Sequence, residues 1–300
     1  MSFRPVIFIV GPTAAGKSEY AVKTALNTGG EIVSADSMQV YRGLDLGTAK
    51  PSVQERMGVI HHMIDIADPK QDYSAGAYSK EATLVIENIL SRGKTPIVCG
   101  GSGLYVHSLL YDMDFSGIMR DDSLRQRFEN EAEKLGPERL YMKLLEKDPS
   151  AASRVHPNNV KRVIRALERV YGEIESGGIR GFENTLSAPR RWDSRIIRLT
   201  ADREELYRRI NNRAEGFFEK GLVGEVRALL EDGVPGDSTA MQGIGYKEVV
   251  AFLEGQYDEE EALRLVKQNT RRFAKRQETW FKRYTDAEII NTGNVLTTKQ

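Results

Sequence analysis

Val6-Ile7-Phe8-Ile9-Val10-Gly11-Pro12-Thr13-Ala14-Ala15-Gly16-Lys17-Ser18 is an apolar, mostly β-branched run that stops at glycine and opens into the pattern GxxxxGK[ST]. A continuous apolar run of this kind is the form of a parallel strand covered on both faces. The segment after it reads as a phosphate loop. Its glycines let successive backbone N–H groups turn toward one anion, the following helix N-terminus adds a partial positive charge, and Lys17 adds a full one. The Ser18 hydroxyl is in position to ligate magnesium. A strand directly before and a helix directly after, over about residues 17–25, turn a common pattern into a specific one.

Working outward, similar short apolar runs recur at residues 31–34, 59–66, 96–99, 195–199 and 287–290, most of them separated by helical spacing such as 76–90. This alternation predicts an α/β fold, a P-loop NTPase-like three-layer domain with a mostly parallel sheet. Between 117 and 191 the strand signals stop and helical patterns take over at 123–135, 137–147 and 160–171, followed by the glycine-rich return Ser176-Gly177-Gly178-Ile179-Arg180-Gly181. The expected organisation is a core of residues 1–116 and 192–300 with a helical insertion at 117–191. In the second half of the core, Asp202 is expected to cap a helix running past Arg213, and another helix to span 259–282.

Composition bounds the function classes. A chain of 300 residues, 40% apolar and 29% charged, is an ordinary globular protein with room for one large core and an added module. Lys plus Arg equals Asp plus Glu at 43 each, so any sign of a polyanionic partner must come from local clustering. Two clusters exist. One helix carries Arg264, Lys267, Arg271, Arg272, Lys275, Arg276, Lys282 and Arg283 among Phe273, Trp280 and Phe281, and the insertion carries Arg154, Lys161, Arg162, Arg165 and Arg169. They read either as a surface for a polyanion or as solvated faces balanced by Asp258, Glu259, Glu260 and Glu261. The single cysteine, Cys99, excludes an internal disulfide and fits a reducing cytoplasm. The N-terminal apolar run is too short for a signal peptide or a membrane span.

Phosphate binding does not name a reaction. No Asn-Lys-x-Asp supports a GTPase, and Ile64-Asp65 is the nearest match to a magnesium-holding strand end, so motor and switch readings fall behind a small-molecule kinase or another group transferase. Asp36 follows the second strand and belongs at the same sheet edge as the phosphate loop. A carboxylate there accepts a proton from an incoming nucleophile, holds a metal, or simply caps the turn at Asp36-Ser37. Ser102, in Gly100-Gly101-Ser102-Gly103, contacts a substrate or caps a helix, and Cys99 is a buried strand residue. His61 and His62 are adjacent, so on a strand they point to opposite faces and do not share a metal.

Taken together, GPTAAGKS at 11–18, SADSMQVYRGLDLGTAKP at 34–51, GGSGLY at 100–105, HPNNVKRVIRALE at 156–168, QGIGYKE at 242–248 and TRRFAKRQETW at 270–280 resemble the tRNA dimethylallyltransferase family of the compact bacterial type. The family's glycine loop commonly carries Thr where this chain has Ser102, which keeps the hydroxyl, and no C-terminal Cys/His zinc module follows the basic helix. The resemblance implies transfer of an isopentenyl group to the exocyclic amine of the adenosine 3′ of the anticodon. It implies dimethylallyl diphosphate in the loop from Gly11 through Pro12, Thr13, Ala14, Ala15 and Gly16 to Lys17 and Ser18, with Arg213 and a magnesium ion on Ser18 helping to neutralise the leaving diphosphate. Asp36 would be the base, with Ser102 beside it, and the adenine would flip out of its stack to reach them. Asp36, Ser37, Met38, Gln39, Ser102 and Arg125 are the implied tRNA contacts. Asn158, Asn159, Val160, Lys161 and Arg162 of the insertion would grip the anticodon stem-loop, and Arg271, Lys275 and Arg276 would add phosphate contacts. A monomer is expected, with ATP or another nucleotide a possible competitor for the loop. The rival readings are a small-molecule kinase, which predicts ATP turnover, and an RNA-binding module that has kept the loop without activity.

Overall fold

A computed structural model describes residues 4–113, 122–171, 186 and 188–293. The glycine-rich return at 176–181 and the Arg169 side chain lie outside the described residues. The chain divides into two compact units, Met1–Asp112 with Arg190–Gln300, and Met113–Pro189.

The first unit begins with β1 (Val6–Val10), α1 (Lys17–Thr28), β2 (Glu31–Ser34), α2 (Val53–Arg56), β3 (His61–His62), α3 (Ala75–Ser91), β4 (Pro96–Gly100) and α4 (Gly103–Leu110). The second unit holds α5 (Asp122–Leu135), α6 (Pro137–Lys147), α7 (Pro149–Ala152) and α8 (Val160–Tyr171). The first unit resumes with β5 (Ser194–Thr200), α9 (Arg203–Glu219), α10 (Leu222–Glu231), α11 (Tyr246–Leu253), α12 (Glu259–Phe281) and β6 (Glu288–Asn291).

The strands form one sheet in the order β3-β2-β4-β1-β5-β6, and every pairing is parallel. Every residue of β1, β2 and β4 is buried, which is why these segments lack the polar alternation of a strand with one wet face. On one face Ile7, Ile9, Ile97, Ile197 and Leu199 pack with Ala21, Val22 and Ala25 of α1 and Leu206 and Ile210 of α9. Glu31 is the charged exception in these strands. Its carboxylate takes Arg92 at 2.5 and 2.6 Å, Lys94 at 2.8 Å and His62 Nε2 at 2.8 Å. The Arg92 hydrogen bonds hold it well below the usual carboxylate range.

The expected strand at 59–66 shrinks to the two residues of β3. Met63 and Asp65 adopt φ of 62° and 58°, in the left-handed region, and extended backbone cannot pass through them. Helices α10 and α11 were not anticipated, although Leu222, Val226 and Leu229 recur at helical spacing and are buried. Asp202 does stand at the N-cap of α9, but its side chain makes no capping bond.

The second unit packs α5, α6 and α8 around Phe128, Leu140, Leu144, Val163, Ile164 and Leu167. Buried Glu168 lies between Arg125 at 3.0 Å and Arg165 at 3.2 Å. No helix among the described residues is long and apolar enough to cross a membrane.

Candidate active site

The loops that leave the carboxyl ends of β1, β2 and β4 share one edge of the sheet, the edge where open α/β sheets place their ligands. They line a cleft of about 970 Å³ bordered by Thr13, Lys17, Ser18, Asp36, Gln39, Cys99 and Arg213.

The β1 loop is shaped by its neighbour. Gly11 has φ 145°, and a Cβ there would lie 2.3 Å from the Leu199 carbonyl oxygen of β5, so only glycine fits between the strands. Ala14 is held at φ 63°, and Gly16 at φ 79° forms the N-cap of α1. Lys17 Nζ donates to the Pro12 carbonyl at 2.8 Å. Burial pulls the Lys17 ammonium down to about 8, with Arg213 adding to the effect and Cys99 and Asp36 opposing it. Arg213, on α9, is itself pushed down by burial, and its Nη1 reaches Thr13 Oγ1 at 3.4 Å. Lys17 and Arg213 thus face the same cleft as Asp36, an arrangement suited to an anion of more than one charge. Ser18 is exposed at the cleft and its hydroxyl has no hydrogen-bond partner among the described residues.

Asp36 takes one of the roles open to it, that of a turn cap. Its Oδ1 accepts from the N–H of Met38 at 2.9 Å and of Gln39 at 3.3 Å, which makes it the cap of the turn after β2. Its Oδ2 has no hydrogen-bond partner among the described residues. Ser102 stands at the N-cap position of α4 without capping it. Its Oγ accepts from the Ser37 N–H at 2.8 Å and donates to Ser37 Oγ at 3.1 Å, so it ties the β4 loop to the β2 loop. Gln39 is committed to the same loop, accepting from Ser34 Oγ at 3.1 Å and donating to the Thr48 carbonyl at 3.2 Å.

Residues that the sequence reading did not single out hold this loop from behind. Glu225 on α10 accepts from the N–H groups of Asp45 at 3.1 Å and Leu46 at 2.9 Å, and from Tyr246 Oη at 2.5 Å. The stretch QGIGYKE therefore supports the loop after β2, with Gly243 brought against Met38. Asp65 is not a magnesium-holding strand end. It accepts Lys50 Nζ at 2.5 Å, and Lys50 also serves Asp45 and the Tyr41 carbonyl. His61 and His62 part company as expected, one to the Val59 carbonyl and the other to Glu31.

The basic stripe on α12 is thinner than its sequence. Arg264 is paired with Glu261 and Lys267 with Glu215. Arg271 donates to Asn211 Oδ1 at 2.6 Å and lies over Tyr207. Lys275 and Arg276 stay exposed, Arg276 stacked over Phe273. In the second unit Asn158, Asn159, Lys161 and Arg162 are exposed at the start of α8, beside half-buried Val160, and Asn159 Oδ1 accepts the Arg162 N–H at 3.3 Å. Arg125 is held by Glu168.

Residues 39–284 match the model of the IPP transferase family. The tRNA dimethylallyltransferase of Alkaliphilus metalliredigens is 47% identical over 288 residues, 96% of this chain and 92% of that one. Among solved structures, the full-length tRNA isopentenylpyrophosphate transferase of Bacillus halodurans is 39% identical with a TM-score of 0.71, covering 96% of this chain and 90% of that one. A eukaryotic dimethylallyltransferase acting on tRNA reaches a TM-score of 0.79 at 26% identity, covering 98% and 75%.

Proposed function

This chain belongs to the IPP transferase family and transfers a prenyl group to tRNA, and from that premise we propose that its donor is dimethylallyl diphosphate and its acceptor the N6 amine of the adenosine 3′ of the anticodon. The observation that carries the reading is the meeting, in one cleft, of the Lys17 anion loop and Arg213 with a carboxylate, Asp36, whose Oδ2 has no hydrogen-bond partner among the described residues.

The carbon–oxygen bond between the allylic carbon and the diphosphate breaks, and a bond from that carbon to the adenine nitrogen forms. Charge grows on the departing diphosphate as this happens, and the loop N–H groups, Lys17 and Arg213 are already oriented to receive it. Asp36 takes the proton that the exocyclic amine releases, so the product is a neutral secondary amine. Oδ1 of Asp36 stays engaged with Met38 and Gln39, which leaves the orientation of Oδ2 fixed while it works. Ser18 would hold magnesium. Among the described residues there is no group of three His, Cys, Asp or Glu that could hold a metal, so a hydroxyl plus diphosphate oxygens and water is the donor set that fits, and it suits magnesium. When bound, the ion adds positive charge on the diphosphate.

For RNA contacts in the first unit we propose Ser37 and Ser102 near the base and Lys275 and Arg276 on α12 for phosphates; in the second unit, separately, we propose Asn158, Asn159, Lys161 and Arg162 for the stem-loop. A monomer in the cytoplasm, with its one thiol buried and free, is the form in which we place this activity. The test is an assay with labelled dimethylallyl diphosphate, magnesium and an anticodon stem-loop, run beside an ATPase control. Label entering RNA establishes the donor and acceptor. Rapid ATP turnover without label would return the chain to the kinases.

A further inference from the structure

Gln277 lies on α12 in a stretch otherwise read as a basic, RNA-facing helix, yet only 5% of it is exposed. Its amide bridges two loops of the cleft. Oε1 accepts the Thr13 N–H of the phosphate loop at 2.8 Å, and Nε2 donates to the Gly101 carbonyl, beside Ser102, at 3.0 Å. The orientation is fixed by the partners, since an N–H only donates and a carbonyl only accepts. The fit is close on the second side, where a Cβ on Gly101 would lie 2.2 Å from Nε2 and 3.7 Å from Lys17 Nζ. What the amide joins is functionally unequal. Thr13 precedes the lysine loop and accepts Arg213 on its hydroxyl, whereas Gly101 leads into Ser102, which holds Ser37 next to Asp36.

We propose that Gln277 is a positioning residue that sets the separation between the donor's diphosphate and the base that receives the acceptor's proton. The inference rests on the prenyl-transfer reading above. It follows from chemistry that no ordinary substitute does both jobs. A carboxylate at 277 still accepts from Thr13 but meets the Gly101 carbonyl with a second acceptor, and an aliphatic side chain leaves both groups buried and unpaired. Anion binding survives either change, because Lys17, Ser18 and Arg213 remain. What degrades is the reach between reacting groups, where a displacement of about 1 Å costs on the order of 10²-fold in rate.

The experiment compares wild type, Gln277→Leu, Gln277→Glu and Val266→Ala, the last a buried position of the same helix with no contact to either loop in the hydrogen-bond network. Each is measured for melting temperature, donor KM, and single-turnover prenyl transfer to a stem-loop at saturating donor, normalised to active sites. Exchange of the Thr13 amide proton is followed in parallel. The expected result is a fall of tenfold or more in the single-turnover rate for both Gln277 variants, with donor KM within threefold for Gln277→Leu and raised further for Gln277→Glu. Thr13 exchange becomes faster in Gln277→Leu only, since the glutamate still accepts that N–H. Val266→Ala lowers the melting temperature but keeps the rate. A Gln277→Leu rate equal to wild type, or a loss matched by Val266→Ala at equal destabilisation, overturns the positioning role while leaving prenyl transfer standing. Wild-type protein that labels no RNA overturns the functional reading first, and this role with it.

Discussion

Asp36→Asn separates the two tasks of one side chain. The asparagine keeps an oxygen at the Oδ1 position, so the bonds from Met38 and Gln39 at 2.9 and 3.3 Å survive and the turn after β2 stays capped. The proton acceptor is lost. A positioned general base contributes about 10²- to 10⁴-fold, so kcat for prenyl transfer is expected to fall by that factor, or about 3–5 kcal/mol in barrier height. Stability should barely change. Asp36→Ala removes cap and base together, and the cap is worth about 1 kcal/mol, which corresponds to a further drop of about 2–4 °C in melting temperature for a chain of this size. The assay is single-turnover transfer of labelled dimethylallyl groups to a stem-loop, paired with thermal melts of both variants. An Asp36→Asn enzyme within tenfold of wild type would refute the base assignment and reduce Asp36 to its turn-capping role. Equal losses of stability in both variants would refute the division of labour between Oδ1 and Oδ2.

Four further outcomes are expected. Gly11→Ala should abolish donor binding and lower stability by about 1–3 kcal/mol, because its methyl group would meet the Leu199 carbonyl; donor titration and denaturant unfolding check both. Lys17 titrates at about 8 in the free protein, and a bound diphosphate favours its charged form, so donor affinity measured without RNA should weaken about tenfold per pH unit above 8 and be flat just below it. Glu31→Gln leaves Arg92, Lys94 and His62 without their carboxylate partner; since all three keep access to water, the cost should be about 1–3 kcal/mol rather than that of a fully enclosed pair, with activity per folded molecule unchanged. Because Glu31 sits below the usual carboxylate range, this stabilisation is present above about pH 4.5 and lost as the pH falls toward its lowered value. Lys275→Ala with Arg276→Ala should weaken RNA binding and reduce the slope of log affinity against log salt by about 1–2, with donor KM unmoved.

The sequence carried the centre of the fold well and its margins poorly, for physical reasons. Strands β1, β2 and β4 are buried on both faces, so their apolar runs had few other readings. At 59–66 the same composition misled, because left-handed backbone at Met63 and Asp65 leaves no mark in hydrophobicity. The phosphate loop, Asp36 and Ser102 were legible as types at a sheet edge. That Asp36 caps its own turn with one oxygen, and that Ser102 secures Ser37 instead of its helix, depends on distances that no spacing encodes. That Arg271 is tied to Asn211 was not legible either, because it shares a helix face with Lys275 four residues on. Gln277 could not be set apart, because its partners are 264 and 176 positions away.

The register of the central strands has a consequence for how the protein comes into being. β1 is flanked by β4 and by β5, and its partner in β5 begins at Ser194, opposite Val6. A ribosome therefore exposes the finished phosphate loop long before the strand that closes over Gly11 has been translated. Until then β1 presents an open apolar edge, the kind of surface on which nascent chains associate with one another or recruit chaperones. Pulse-labelled chains halted after the insertion should be protease-sensitive and chaperone-bound, and release of those chains should coincide with emergence of β5 rather than with completion of the first βα units.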